Sequence, residues 1–114
     1  MKIAVAADDR VVAGHFGLCQ DYIVFKAEDG KIVGEEVHKN PGHAGGMTPP
    51  LFIAGLGVDA AIGGTVAPHA LKVMQDAGVD VILGASGGVK EAAEAYLAGD
   101  LKMDESAIQP CGGC

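Results

Sequence analysis

The chain contains no tryptophan, and aromatic residues make up only 4% of its 114 positions. Its core must therefore be built from aliphatic side chains. Hydrophobic residues reach 49%, which is enough for one compact domain to fold without disulfides or a structural metal. No apolar run approaches the length that spans a membrane, and a strand-like segment stands where a secretory signal would be. These absences predict a cytoplasmic protein with no membrane partner.

Positive charge and cysteine are also scarce. Eight Lys and Arg face fifteen Asp and Glu, for a formal charge of −7, and such an excess repels phosphate backbones and argues against a nucleic-acid partner. The three cysteines are an odd number, which argues against a disulfide framework. Serine occurs only at Ser86 and Ser106. Because no G-x-S-x-G motif surrounds either serine, acyl-transfer chemistry is disfavoured.

Glycine, in contrast, is abundant at 18 residues, and part of it belongs to a tandem repeat. Residues 57–77 and 78–98 each open with Gly-Val-Asp, continue through a short apolar strand, reach small residues and close as an amphipathic helix. This pattern predicts two consecutive βα units. Parallel strands of such units end at one edge of a sheet, where ligands of open α/β folds bind.

The first half of the chain predicts three strands, at residues 3–7, 22–27 and 32–38, with an Asp-Gly hairpin turn between the last two. A loop rich in Pro and Gly then leads to a short helix that starts at Pro49. The order β-β-β-α-β-α-β-α predicts an α/β fold with a mixed five-stranded sheet flanked by helices. The first, fourth and fifth strands are expected to be parallel. Residues 1–100 are expected to form a single domain and residues 101–114 a C-terminal tail.

The carboxyl ends of the three parallel strands are expected to bring a set of polar and small residues together, with the loop of His43 folding over them. This set consists of Asp8, Asp9, His15, Gly63, Gly64, Thr65, Ser86, Gly87 and Gly88. The glycine turns contain neither the G-x-x-x-x-G-K-[ST] motif nor the G-x-G-x-x-G motif, both of which bind phosphate. Most of these glycines are therefore explained by tight turns between a strand and the helix that follows it. A two-metal nuclease needs several converging carboxylates. Asp59 and Asp80 fall at the opposite edge, and nuclease activity is therefore disfavoured.

Soft metal ligands are the chemistry that these residues allow. His15 and Cys19 form H-x-x-x-C, and His43 and His69 are expected near the same edge. Cys111 and Cys114 form a C-x-x-C at the end of the chain. Imidazole and thiolate together suit zinc, copper or iron–sulfur centres. The alternatives are a buried small hydrophobe for Cys19 and a redox pair for the C-x-x-C.

Four features together resemble a known family. They are the opening strand, the Gly14-His15-Phe16-Gly17 loop, the Asn40-Pro41 loop and the tandem Gly-Val-Asp units. Over roughly residues 1–100 the chain is similar to the dinitrogenase iron–molybdenum cofactor biosynthesis family, which includes NifX-like proteins and the C-terminal domain of NifB-type proteins. The resemblance implies an RNase H-like fold with a mixed five-stranded sheet.

The resemblance also implies a function. Members bind or carry an iron–molybdenum cofactor, its precursor or a related metal–sulfur cluster without catalysis, and orange-type relatives hold a molybdenum–copper sulfide cluster. The implied partners are cluster-assembly or acceptor proteins. His15, in His15-Phe16-Gly17, is the best-matched position, and His43 matches next. Phe16, Gly17 and Thr65 are expected to bind the cofactor together with these histidines and the glycines of the two turns, although members often carry Met-Gly where this chain has Thr65-Val66.

Three hypotheses follow from the sequence. In the first, the chain carries an anionic metal–sulfur cluster. The N–H groups of Gly63, Gly64, Gly87 and Gly88 hydrogen-bond the cluster, and His15 orients or ligates it. In the second, Cys111 and Cys114 act in thiol redox chemistry or metal delivery. In the third, the chain is an anion-binding regulatory domain without a metal. Which metal is bound, the oligomeric state and the delivery partner do not follow from the sequence.

Overall fold

A computed structural model describes residues 1–14, 16, 19–40, 49–66, 68–85 and 87–99. Nine elements follow one another in this part of the chain: β1 (Lys2–Asp8), β2 (Val11–Val12), β3 (Asp21–Glu28), β4 (Lys31–Lys39), α1 (Pro49–Gly55), β5 (Ala60–Ile62), α2 (Pro68–Asp76), β6 (Asp80–Ile82) and α3 (Val89–Leu97). The strands form one sheet in the order β4-β3-β1-β5-β6, and β2 pairs with β1. No helix in the described ranges is long and apolar enough to cross a membrane.

The sheet is mixed, as the sequence predicts. Strands β1, β5 and β6 are parallel, with Val5 opposite Ile62 and Ile62 opposite Ile82. β3 runs antiparallel to both β1 and β4, so the hairpin lies at one side of the sheet. The mixed α/β fold and its five predicted strands are therefore confirmed, and β2 makes the sheet six-stranded. β2 was not predicted, because a two-residue strand is too short to produce an alternating pattern.

The hairpin turn has the geometry that Asp-Gly favours. Asp29 and Gly30 have φ values of 52° and 77°, and two consecutive positive φ angles define a type I′ turn. Glu28 and Lys31 pair directly across it. The register shifts between Lys26 and Ala27, which marks a β-bulge in the first part of the hairpin.

The Gly-Val-Asp repeat is a helix stop followed by a strand start. Gly57 and Gly78 have φ values of 70° and 83° and follow the ends of α1 and α2, where glycine tolerates the left-handed conformation. Val58 and Val79 are buried, and each Asp then leads into its strand. The second turn is closed by hydrogen bonds from Gly78 N–H to the Gln75 carbonyl (3.0 Å) and from Val79 N–H to the Met74 carbonyl (3.0 Å).

Side chains on the two faces of the sheet form two apolar layers. One layer packs under α1 and α2 and contains Tyr22, Ile53 and Met74, and the other packs under α3 and contains Phe25 and Val89. The two helices that the repeat predicts are both present. α3 buries Val89, Ala92 and Ala93, whereas α2 ends at Asp76 and leaves Ala77, the last residue of the first repeat, exposed in the turn beyond it.

Candidate functional site

The loops that follow β1, β5 and β6 are hydrogen-bonded to one another at the carboxyl edge of the parallel strands. Ala13 N–H donates to the Ala6 carbonyl (2.8 Å), which folds the first loop back onto its own strand. Val12 N–H donates to the Gly87 carbonyl (2.8 Å), and Gly64 N–H donates to the Ala13 carbonyl (3.0 Å). The three loops therefore form one connected layer, and residues far apart in the sequence meet there.

Thr65 holds the two residues that flank His15. Its N–H and its Oγ1 both donate to the Gly14 carbonyl, at 2.9 Å and 2.8 Å. Its own carbonyl accepts a hydrogen bond from Phe16 N–H at 2.8 Å. His15 itself lies outside the described residues. The backbone on both sides of it is nevertheless attached to the end of β5 by three hydrogen bonds.

Gly63 and Gly64 permit this attachment because they have no side chain. A Cβ on Gly63 would lie 2.7 Å from Phe16 Cδ2, and a Cβ on Gly64 would lie 2.7 Å from the Gly14 carbonyl oxygen and 2.9 Å from that of Ala13. Both glycines are buried. Glycine is thus required at these positions because the loop after β1 lies so close to the loop after β5. This agrees with the sequence analysis, which explained most glycines by tight turns.

The predicted donors at Gly63 and Gly64 are already used within the protein. Gly63 N–H donates to the Ile82 carbonyl at 3.0 Å, and Gly64 N–H donates to Ala13. The hypothesis that these two groups bind cluster sulfides does not agree with this geometry. The reason is that backbone pairing continues beyond the last residue of β5, so the groups that an isolated strand end would leave open are satisfied.

The second glycine pair has a different environment. Gly87 is exposed with a φ of 84°, and Gly88 caps the N-terminus of α3 with an extended backbone. The Glu91 carboxylate lies in the space that a Cβ on Gly88 would occupy. A carboxylate in the first turn complements the helix dipole. Because Glu91 already supplies negative charge at this terminus, the predicted role of Gly87 and Gly88 in holding an anion is disfavoured here.

Cys19 belongs to the core beneath the loop. It is only 5% exposed, and its Sγ donates to the Phe16 carbonyl at 3.4 Å. Burial raises the pKa of the Cys19 thiol, which disfavours the thiolate that binds metals. The structure therefore supports the alternative of a small buried hydrophobe over the predicted metal ligand.

Tyr22 and Asn40 complete the support of the loop, and the sequence did not indicate either role. Tyr22 is fully buried, and its hydroxyl donates to the Phe16 carbonyl at 2.6 Å. Asn40 Nδ2 donates to the Cys19 carbonyl at 2.8 Å. The only sequence signal was Asn40 in the Asn40-Pro41 pair. Tyr22 also packs on Phe16, with 5.1 Å between ring centroids, so the loop is anchored from below by an aromatic pair.

Other predicted site residues are distributed as follows. His43, Gly17, Cys111 and Cys114 lie outside the described residues, as does Ser86. His69 is the second residue of α2, as its position after Pro68 predicts, and its side chain is outside the description. Within the described ranges, no three His, Cys, Asp or Glu side chains come together as a metal site. Asp8 and Asp9 are exposed at this edge, and Asp8 Oδ1 accepts a hydrogen bond from Gln20 N–H at 2.8 Å.

His38 is less solvated than its position at a strand end suggests. Its side chain is 31% exposed. Its ring packs edge-on against Phe52 with 6.1 Å between centroids, and Phe52 in turn contacts Tyr22 at 6.1 Å. The row Phe16, Tyr22, Phe52 and His38 thus joins the loop, α1 and β4. Pairing of Tyr22 with His38 across β3 and β4 places these rings on one face.

The fold and the site define a class: a small α/β domain with a mixed sheet and a glycine-supported loop, attached at the carboxyl edge of its parallel strands. Residues 1–99 match the family described as dinitrogenase iron-molybdenum cofactor. The chain belongs to this family.

Individual proteins are similar to this chain in sequence or in fold. An uncharacterised protein of Methanocaldococcus jannaschii is 31% identical over 109 residues, which cover 92% of each chain. The crystal structure of the protein PH0822 is 25% identical, with a TM-score of 0.80 over 92% of this chain and 96% of that one. The apo form of the orange protein from Desulfovibrio gigas is 24% identical and shares the fold, with a TM-score of 0.77 over 91% and 92% of the two chains.

Proposed function

We propose that this chain binds and carries an iron–molybdenum cofactor, its precursor or a related metal–sulfur cluster in the cytoplasm, without catalysing a reaction. The cluster is cargo that passes between assembly and acceptor proteins. Family membership supports the class of cargo. The location of the proposed binding site is supported by the hydrogen bonds that attach Gly14 and Phe16 to Thr65. These bonds hold the residues on either side of His15 at the edge of the sheet where α/β folds bind ligands.

The charges near this edge favour coordination over electrostatic capture. Asp8 and Asp9 are exposed there, and both repel an anion. Arg10, the cation next to them, forms an ion pair with Glu35 at 3.0 Å. A metal-free anion site would need unpaired positive charge or open N–H groups. The same repulsion acts on the anionic cluster of the first hypothesis, so charge attraction does not hold either ligand here. Metal coordination by an imidazole does not require such attraction, and the arrangement therefore supports coordination better than the third hypothesis of a metal-free anion-binding domain.

The residues then divide into two roles. We assign His15 as the ligand or orienting group, with His43, His69, Cys111 and Cys114 as further ligands. Phe16, Gly63, Gly64 and Thr65 build the support on which the loop with His15 and Gly17 rests. In this division Cys19 is part of the support, because burial keeps its thiol protonated. The support fixes the backbone at Gly14 and Phe16, so binding does not have to order these two positions.

The test is anaerobic reconstitution of the full chain with ferrous iron, sulfide and tetrathiomolybdate, followed by metal and acid-labile sulfide analysis. We expect wild-type protein to retain stoichiometric metal and sulfide after desalting. His15→Ala should lose at least about tenfold in affinity, as expected when a metal ligand or its orienting partner is removed. The matched control is His38→Ala, which removes a histidine from β4 and should bind like the wild type.

Two outcomes would contradict the proposal. If wild-type protein retains no metal or sulfide under these conditions, cluster carriage is wrong. If His15→Ala and His38→Ala bind equally well, the assigned site is wrong. A Cys111→Ser, Cys114→Ser variant separates the second hypothesis from the first. Loss of all binding in this variant, with His15→Ala unaffected, would place the metal chemistry in the terminal thiols.

A further inference from the structure

The outermost strand of the sheet presents apolar side chains to solvent. β4 is the edge strand of the sheet, and in the described part of the chain it pairs with β3 alone. Val33 and Val37 on this strand are 60% and 58% exposed. An edge strand has a row of unpaired backbone donors and acceptors and can pair with another strand. β4 therefore combines open hydrogen-bonding groups with exposed apolar surface.

The hydrogen-bond pattern shows which residues of β4 face outward. Asn40 N–H donates to the Gln20 carbonyl of the neighbouring strand at 3.0 Å. Because the backbone groups of successive residues in an antiparallel strand point to alternate sides, those of His38 and Glu36 also point toward β3. The N–H and C=O groups of Glu35, Val37 and Lys39 then face away from the sheet. These three residues form the open edge.

We propose that β4 pairs antiparallel with β4 of a second copy of this chain, with Val37 opposite the partner's Val37. Glu35 then lies opposite the partner's Lys39, and Glu36 lies opposite the partner's His38. Each outward-facing residue meets another outward-facing residue, so both strands exchange backbone hydrogen bonds along the whole contact. The exposed valines cover each other at its centre, where cross-strand apolar pairs stabilise a sheet.

Charge selects this register over its neighbours. A pairing centred on Glu35 would place Glu35 opposite itself and Lys31 opposite Lys39, and a pairing centred on Glu36 would place Glu36 opposite itself. Like charges directly opposite each other are destabilising. A pairing centred on Val33 would meet the bulge that shifts the register near Lys26 and Ala27. The Val37 register lies beyond the bulge and joins opposite charges.

The same charges exclude unrelated strands. Glu35 is already paired with Arg10, and Glu36 with Lys26 at 2.8 Å. The partner's Lys39 adds a second positive neighbour to Glu35, and the partner's His38 adds a second imidazole beside Glu36, which already contacts its own His38 at 3.3 Å. Charged edge strands normally prevent association. Here they permit one complementary partner, a copy of the strand itself, and reject others. β3 separates β4 from β1 in the sheet, and pairing along the outer edge of β4 does not require a bound cluster, so this contact does not rest on the proposed function.

The oligomeric state of the full chain under reducing conditions tests the proposal. The contact is small, so the dimer should be weak and its fraction should rise with concentration. We expect sedimentation velocity to show dimer between about 10 μM and 1 mM. Val37→Lys should abolish it, because it brings two positive charges together at the centre. The matched control Val11→Lys changes a valine that is 49% exposed on β2 and should leave dimerisation intact. A wild type that stays monomeric up to about 1 mM overturns the proposal.

Cross-linking tests the register itself. Directly opposite residues of a hydrogen-bonded pair have Cα atoms about 5.5 Å apart, within disulfide range. In a Cys111→Ser, Cys114→Ser background, Val37→Cys should therefore give a covalent dimer on mild oxidation. Val33→Cys, equally exposed on the same strand, should not, because it does not face its own copy in this register. Equal cross-linking of the two variants would show that the register is wrong.

Discussion

At the scale of single residues, attachment of the loop that contains His15 depends on the absence of a side chain at Gly64 and on the hydroxyl and backbone groups of Thr65. The loop carbonyls of Ala13 and Gly14 approach Gly64 so closely that a Cβ would lie 2.9 Å and 2.7 Å from their oxygens. Thr65 then supplies three hydrogen bonds to the residues around His15. Small size at one position and a hydroxyl at the next therefore work together to attach the loop.

Gly64→Ala should destabilise the fold and displace the loop. The added methyl group meets backbone oxygens, which cannot rotate away as a flexible side chain would, so we expect a cost of about 1–3 kcal/mol in the free energy of unfolding. Urea denaturation measures this cost. Gly14→Ala is the matched control, since a Cβ there meets no described atom within 4 Å. A Gly64→Ala protein as stable as the control would show that the close approach is not required.

Thr65→Val should loosen the loop while keeping its shape. The variant removes the hydrogen bond from Oγ1 to the Gly14 carbonyl (2.8 Å) but retains the backbone bond to the same oxygen, so the loss should be about 0.5–1 kcal/mol. Hydrogen exchange of the Phe16 amide, which donates to Thr65, should become faster. Thr65→Ser keeps the hydroxyl and should exchange at nearly the wild-type rate. Unchanged exchange in Thr65→Val would contradict the role of the hydroxyl.

At the scale of elements, the hairpin turn and the repeated Gly-Val-Asp turns follow the same logic. Glycine occupies positions with positive φ, and the next apolar residue enters the core. Gly30 has a φ of 77° in the hairpin, and Gly78 has a φ of 83° after α2. The hairpin turn also sets the register of β3 and β4, because the connection is short and its backbone conformation is specific. The Gly-Val-Asp turns join a helix to the strand that follows it.

Gly30→Ala should weaken the β3–β4 hairpin. An L-residue with a side chain in this left-handed conformation costs about 1–2 kcal/mol, measured as a lower denaturation midpoint. Gly34→Ala lies in β4 of the same hairpin, its φ is outside the positive range, and no described atom lies within 4 Å of a Cβ there. This control should be neutral or slightly stabilising, because alanine restricts the unfolded chain more than glycine does. Equal losses in both variants would exclude turn conformation as the cause.

At the scale of the whole molecule, two apolar layers on a single sheet bury most of the large apolar side chains that the structure describes. Both tyrosines pack in these layers. Burial strongly raises the pKa of Tyr22. Burial, the hydrogen bond to Asp80 (2.9 Å) and the nearby carboxylates raise the pKa of Tyr96 to about 12. Stability at alkaline pH should therefore depend on tyrosine ionisation.

The direction in which stability changes with pH follows from the number of protons that the folded and unfolded states bind. Unfolded tyrosine ionises near pH 10, so below that pH both states bind the proton and the full stabilisation is present. As pH rises from about 10 toward 12, the unfolded state loses protons that the folded state keeps, and stability falls. The denaturation midpoint should drop over this range, and Tyr96→Phe should reduce the slope. Absorbance at 295 nm that rises with an ordinary pKa near 10 in the folded protein would contradict this prediction.

The order of the three helices and of the five longer strands was determined by the sequence alone, and so was the edge at which the candidate site is expected. Local sequence patterns predicted both the element order and this edge. Asp29-Gly30 specified the hairpin, Gly-Val-Asp marked helix stops and strand starts, and the apolar runs between them specified the strands. Parallel strands that end in small residues then had to place their loops together. Such signals act over a few residues, which is why a single sequence is enough to interpret them.

Tertiary structure decided what each site residue does. Thr65 and Gly14 are separated by 51 positions, and no local pattern indicates that one holds the other. The N–H groups of Gly63 and Gly64 are satisfied by carbonyls from other parts of the chain, and Cys19 is buried by β3 and the loop above it. Burial and hydrogen-bond satisfaction depend on residues that only folding brings together, so a ligand and a core thiol have the same sequence signature until the neighbours are known.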